Sequence, residues 1–126
     1  VHFAGGAGFG AAPQLCYDEM LSSIVQRCGV VVVATPYEVS LDHWALARAV
    51  HAEYQDALRE CQQAFGLSPD APTYRLGHSL GAKLMVLGAL QADGDAAAGD
   101  SLALMGFNNF GLRDSATLIS DFVANA

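Results

Sequence analysis

The stretch TYRLGHSLGAKLM, residues 73–85, joins a short strand-like run to an apolar, helix-prone run through the spacing Gly77-x-Ser79-x-Gly81. In an open α/β sheet, ligands sit beyond the carboxyl ends of the strands. A serine in the tight turn between strand and helix therefore points its hydroxyl into that crevice. Gly77 and Gly81 let the chain bend sharply and let the helix pack close, which leaves Ser79 with strained backbone and an exposed oxygen. The N–H of Leu80 opens the helix and faces an oxyanion. The spacing in isolation is a weak signal, and its plain alternative is an ordinary glycine-rich turn. The strand before it and the helix after it favour a nucleophile elbow.

Working outward, strand-like runs alternate with helical ones. Residues 1–4, 30–35, 73–76 and 101–107 read as strands, the second and fourth as buried ones. VVVVAT is β-branched and apolar on both faces, as a central parallel strand should be. Between them, Gln14 to Cys28 keeps helical spacing after Pro13, and Gly29 suits the position past the helix end. Leu41 to Phe65 is the clearest helix, with Ala47, Val50, Tyr54, Cys61 and Phe65 on one stripe. Leu80 to Gln91 is a third helix. An acidic loop follows over 92–100, and Asp114 or Ser115 could cap a last helix carrying Leu118, Ile119, Phe122 and Val123. The alternation predicts an α/β fold: three-layer α/β/α with a mostly parallel sheet, in one domain over 1–126.

Composition excludes several functions. Hydrophobic residues make up 52% and charged residues 15%, and the net charge is −7. Six scattered basic residues give no phosphate-tracking stripe, so nucleic acid is not an expected partner. No apolar stretch is long enough to span a bilayer as a helix. The chain opens in what reads as mid-strand, the mark of a fragment or a trimmed product. Cys16, Cys28 and Cys61 form no C-x-x-C pair, so no metal site is expected and the thiols are read as buried and free. No cofactor is expected.

The glycine-rich loop GGAGFG after the first strand offers a second oxyanion donor, the N–H of Gly6 or Ala7. A rival reading is a dinucleotide fingerprint, because Gly6-x-Gly8-x-x-Ala11 satisfies G-x-G-x-x-G/A. That reading needs an acidic residue ending the second strand, where Thr35 and Pro36 stand instead. The histidines are His2, His43, His51 and His78, and none follows Ser79. His78 points away from its neighbour in such a turn and reads as packing. His43 lines the pocket, two strands from the serine, and Asp42-His43 reads mainly as the start of the long helix. Asn108 and Asn109 end the fourth strand and could line the crevice.

With these motifs in hand, the chain resembles the α/β-hydrolase-like group of oxygenic photosynthetic organisms catalogued as domain of unknown function 1350. The resemblance rests on His2-Phe3, Gly5-Gly6, the run from Ala11 to Leu15, Thr35-Pro36, Asp42-His43, the elbow from Gly77 to Gly81 followed by Lys83-Leu84, and Phe107-Asn108-Asn109. It covers about residues 1–110; the acidic loop and the tail after Asn109 depart from it. It implies a partial α/β-hydrolase fold, the four strands being equivalent to its third to sixth. In that fold the triad acid and histidine follow the serine, so both would lie past Ala126. The family further implies a plastid or a cyanobacterial-type cytoplasm.

Two functions from different classes follow. One is a serine hydrolase acting on an ester, thioester or amide, with Ser79 as nucleophile and Leu80 with Gly6 or Ala7 holding the oxyanion. The other is a non-catalytic module of the same fold that binds a small-molecule ligand or a partner in the crevice. Without a base the 126-residue chain should be inactive, and the open edge of its fourth strand should favour aggregation.

Overall fold

The computed structural model describes residues 1–91, 101–107, 109, 114, 117 and 120. Four strands form one parallel sheet: β1 (His2–Ala4), β2 (Val33–Ala34), β3 (Tyr74–His78) and β4 (Ser101–Met105), in the order β2-β1-β3-β4. The helices are α1 (Pro13–Cys16), α2 (Asp18–Cys28), α3 (His43–Phe65) and α4 (Leu80–Gln91). The expected three-layer α/β/α arrangement is the one observed. Alternation along β1 assigns its faces. His2 turns toward α3, where its ring stacks on Tyr54 with centroids 4.1 Å apart. Phe3 turns the other way, edge-on to Tyr17 between α1 and α2 at 4.9 Å.

The core lies between the sheet and the α3/α4 layer. Ala4, Tyr37, Ala47, Val50, Leu84 and Met85 are buried there as one cluster. On α3 the stripe holds only part of the way. Ala47, Val50 and Tyr54 are buried and Cys61 is half-buried, but Phe65 is 74% exposed. A helix of 23 residues is longer than the short strands beneath it, so its last turns have no sheet to cover. Its start is set by Asp42, whose carboxylate accepts from the Ala45 N–H at 2.9 Å. Gly66 ends it in the left-handed conformation, as Gly29 ends α2.

Several expectations need correction. The run 14–28 is two helices, because Tyr17 (φ −126, ψ 8) leaves the helical region between them. Only Val33–Ala34 of the valine run pairs in the sheet, and it does so at an edge, with Val31 40% exposed. Among the described strands β4 is the other edge, and Leu102 and Leu104 are exposed instead of buried. A β-branched apolar run registers strand character; which strand has neighbours on both sides is a tertiary fact. Cys16 and Cys28 are exposed for a related reason: they sit at the ends of α1 and α2, past the stretch that packs on the sheet. The expected last helix lies largely outside the described residues; Asp114, Thr117 and Ser120 are helical. Among the described residues, no helix is long and apolar enough to cross a membrane.

His2 gives the fold a measurable pH dependence. It is 2% exposed, and its Nε2 lies 3.0 Å from the Thr35 hydroxyl. Burial first, and then the charges of His51, Arg75 and the amino terminus, push its pKa from 6.5 down to about 3. The folded state thus keeps the ring neutral while the unfolded chain protonates it. Stability is full above pH 6.5 and declines as pH falls from there toward about 3. One such group costs about 1.4 kcal/mol per pH unit within that window. Urea melts at pH 7 and pH 5 should differ by about 2 kcal/mol more in the parent than in His2→Phe. Equal differences in the two proteins would remove His2 from the account.

Candidate active site

The chain turns from β3 into α4 at Ser79. Among the described residues it is the non-glycine residue with positive φ, at 54°. For an L-residue that conformation costs about 1–2 kcal/mol, so surrounding contacts must impose it. Three do. The Ser79 N–H donates to the Met105 carbonyl at the end of β4, at 2.8 Å. The Ser79 carbonyl accepts from the Lys83 N–H at 3.3 Å, which starts α4 directly after the turn. The flanking glycines allow contacts no side chain would permit. A Cβ on Gly77 would stand 2.5 Å from the Ala82 Cα. A Cβ on Gly81 would stand 2.5 Å from the Ala4 carbonyl carbon and nearer still to the Ala4 and Gly5 oxygens. The G-x-S-x-G spacing is thus a packing requirement of α4 against both β3 and β1.

The glycine loop after β1 lies against this turn. A Cβ at Gly6 would be 3.4 Å from the Ser79 Cβ and 3.1 Å from His78 Nδ1. The loop is held from two sides by tyrosines that sequence reading missed. Tyr37 donates its hydroxyl to the Gly5 carbonyl at 2.6 Å, and its N–H bonds the Gly10 carbonyl at 3.0 Å. Burial pushes the Tyr37 phenol well above its ordinary value, with Tyr17 adding to the shift, so the hydroxyl stays a donor. Tyr17 accepts the Gly6 N–H at 2.8 Å and bonds His78 Nδ1, also at 2.8 Å. Gly5 and Gly10 press on the rings of Tyr17 and Tyr37, each with a would-be Cβ contact of 2.6 Å. The glycines signal a close approach at these positions but not that the partner is a tyrosine ring.

These contacts divide the expected oxyanion donors. The Gly6 N–H is engaged by Tyr17. Ala7 is exposed, and its N–H meets no acceptor among the described residues. Leu80 begins α4, where the first N–H groups have no partner within the helix and the dipole favours negative charge. The glycine loop leads into a 3-10 turn, Phe9–Ala11, and then the four residues of α1. A dinucleotide fingerprint instead opens directly into a long helix.

Among the described residues no hydrogen bond reaches the Ser79 hydroxyl. His78 is half-buried and tied to Tyr17, as its packing role required. His43 is the first residue of α3, and its Nε2 is buried without a hydrogen-bond partner among the described residues. Burial and the Lys83 ammonium lower its pKa, against a smaller opposing effect of Asp42, so the ring is neutral at pH 7. Asn108 lies outside the described residues, and Asn109 is exposed. No cluster of three or more His, Cys, Asp or Glu able to hold a metal occurs among the described residues.

Tyr17→Phe tests the loop's anchoring. The ring and its packing on Phe3 remain, while the buried Gly6 N–H loses its acceptor. The expected cost is about 1–3 kcal/mol in urea melts, the desolvation penalty of an unpaired buried donor. Hydrogen exchange at the Gly6 amide should accelerate in parallel. A loss below about 0.5 kcal/mol would show that water or another acceptor replaces the phenol.

A family model described as "Protein of unknown function (DUF1350)" matches residues 1–126. No curated protein and no solved structure matches the chain.

Proposed function

The chain belongs to the DUF1350 family, and on that premise we propose that it carries an α/β-hydrolase-like serine site acting on an ester, thioester or amide. The observation that carries this reading is the left-handed Ser79 between two sterically obligatory glycines. Strain of this kind persists where function selects it. The neighbouring loop, which meets the serine at Gly6, carries in the Ala7 N–H a backbone donor with no acceptor among the described residues.

In this reading the Ser79 oxygen attacks the substrate carbonyl, and the carbonyl oxygen becomes an oxyanion held by the N–H groups of Leu80 and Ala7. Gly6 acts one step back: its N–H, bound to Tyr17, fixes the loop that presents Ala7. The four strands are the third to sixth of the hydrolase sheet. The serine's proton must pass to a base, and among the described residues no imidazole bonds the Ser79 hydroxyl. The 126-residue chain is therefore expected to turn over simple esters at background rate.

The test is fluorophosphonate labelling of the longest natural chain that contains residues 1–126, beside its Ser79→Ala variant. Labelling confined to the parent supports the hydrolase. An unlabelled serine in a protein that still binds a ligand in this crevice supports the non-catalytic module. By family, the proposed location is a plastid or a cyanobacterial-type cytoplasm, which a fluorescent fusion would check.

A further inference from the structure

Two exposed phenylalanines border the Ser79 turn, one on each side. β3, which leads into that turn, lies between β1 and β4 in the sheet. The chain leaving β1 and the chain leaving β4 therefore flank the serine, and each approaches it. A Cβ at Gly6 would be 3.4 Å from the Ser79 Cβ, and the Met105 carbonyl accepts the Ser79 N–H at 2.8 Å. Three residues past Gly6 comes Phe9, 61% exposed, and two past Met105 comes Phe107, 47% exposed. A slack backbone does not account for this exposure. Phe9 sits in a turn closed by the Gly10 N–H on the Gly6 carbonyl at 2.6 Å, and Tyr17 and Tyr37 hold that turn from both sides. Phe107 follows Gly106, a left-handed glycine whose would-be Cβ stands 3.7 Å from the His78 ring.

The charge pattern points the same way. The chain carries 13 acidic and 6 basic residues, yet none falls in 1–17 or 101–112, the two segments that border the serine. A charged group on a ligand would find no counter-ion in either segment. An anionic one would also meet the field of a chain of net charge −7. An uncharged aliphatic chain, in contrast, covers apolar ring area and gives up no polar hydration in doing so. Rings on a pinned backbone offer that area at a small ordering cost. The occupant follows from continuity with the site. Phe9 lies two residues, at most about 7 Å, from Ala7, whose N–H has no acceptor among the described residues. A carbonyl held there brings its own chain to the ring.

Resting on the hydrolase reading, we propose that the substrate is a neutral ester or thioester with an aliphatic acyl chain, and that Phe9 and Phe107 hold that chain beside Ser79. The test compares octyl and ethyl fluorophosphonates, whose alkyl group stands for the acyl chain, on the longest natural chain that contains residues 1–126. The readout is the second-order rate of labelling at Ser79. Each methylene withdrawn from water gains up to about fourfold, so the octyl probe should react at least about tenfold faster. Phe9→Ser and Phe107→Ser remove exposed rings, so folding is not at stake, and each should lower the octyl-to-ethyl ratio severalfold. Labelling at Ser79 with a ratio near one, or a ratio that neither variant moves, overturns this inference and leaves the hydrolase reading standing. If neither probe labels, the hydrolase reading fails, and titration with 1-octanol and 1-butanol, followed by the Ala7 and Phe9 amides in NMR, tests the aliphatic site by itself. Octanol saturating at a concentration at least about tenfold lower supports it, and equal or absent shifts overturn it. A dimer that Phe9→Ser dissolves, or cosedimentation with phosphatidylcholine vesicles, would assign the rings to a second copy or to a membrane and overturn it as well.

Discussion

Gly81→Ala is expected to destabilise the protein by more than about 4 kcal/mol, or to prevent folding. Two effects oppose each other at this position. Alanine favours a helix over glycine by about 1 kcal/mol, and Gly81 lies in the first turn of α4. Against that, its methyl group would fall inside the van der Waals envelope of the Ala4 and Gly5 carbonyls. Backbone atoms of a buried strand cannot step aside as a flexible side chain can. Relief would require α4 to lift from β1, opening the contact that buries Ala82, Leu84 and Met85. The steric cost exceeds the propensity gain. Soluble yield and the urea midpoint measure it, and a variant melting with the parent would mean that α4 does not sit on β1 as described. Gly88→Ala is the control for helix propensity, because its new methyl meets nothing closer than 3.7 Å.

Substitution at Ser79 should separate activity from stability. Both Ser79→Ala and Ser79→Gly remove the hydroxyl, and both should abolish fluorophosphonate labelling in the longest natural chain that carries the site. Their stabilities should diverge. Alanine keeps the Cβ that makes φ of +54° unfavourable, while glycine adopts that conformation freely. Ser79→Gly should therefore melt above Ser79→Ala by about 1 kcal/mol. A glycine variant no more stable than the alanine variant would show that Ser79 is not strained. The functional proposal would then lose its main support.

Much of this was legible in the sequence because it is local. Helical spacing in 41–65 and the strand-like and helix-prone runs on either side of Ser79 place β3, α3 and α4 within a few residues, and βαβ alternation with right-handed crossovers leaves few topologies besides a parallel sheet. The Ser79 turn was readable because its two glycines stand at fixed offsets from the serine. The resemblance implied strands equivalent to the third to sixth of a hydrolase sheet; the sheet order is β2-β1-β3-β4.

The rest depended on which elements meet. Tyr17 was read as part of one continuous helix, since nothing local distinguishes a helical tyrosine from one that breaks a helix to reach Gly6 and His78 across the sheet's end. The engagement of Gly6, which moves the loop's open donor to Ala7, follows from that long-range bond. The exposure of Val31, Leu102 and Leu104 was equally out of reach, because an apolar run records what a residue is and not whether a neighbour covers it. Sequence alone thus determined the α/β class, the strand-turn-helix around Ser79 and the candidate nucleophile. Tertiary structure alone decided which N–H groups stay open among the described residues, which apolar strand residues are exposed, and that Arg75 and His2 are buried side by side on one face of the sheet. The physical reason is range. Backbone propensity and glycine sterics act over a few residues along the chain, whereas burial and hydrogen-bond satisfaction arise between residues that only the fold brings together.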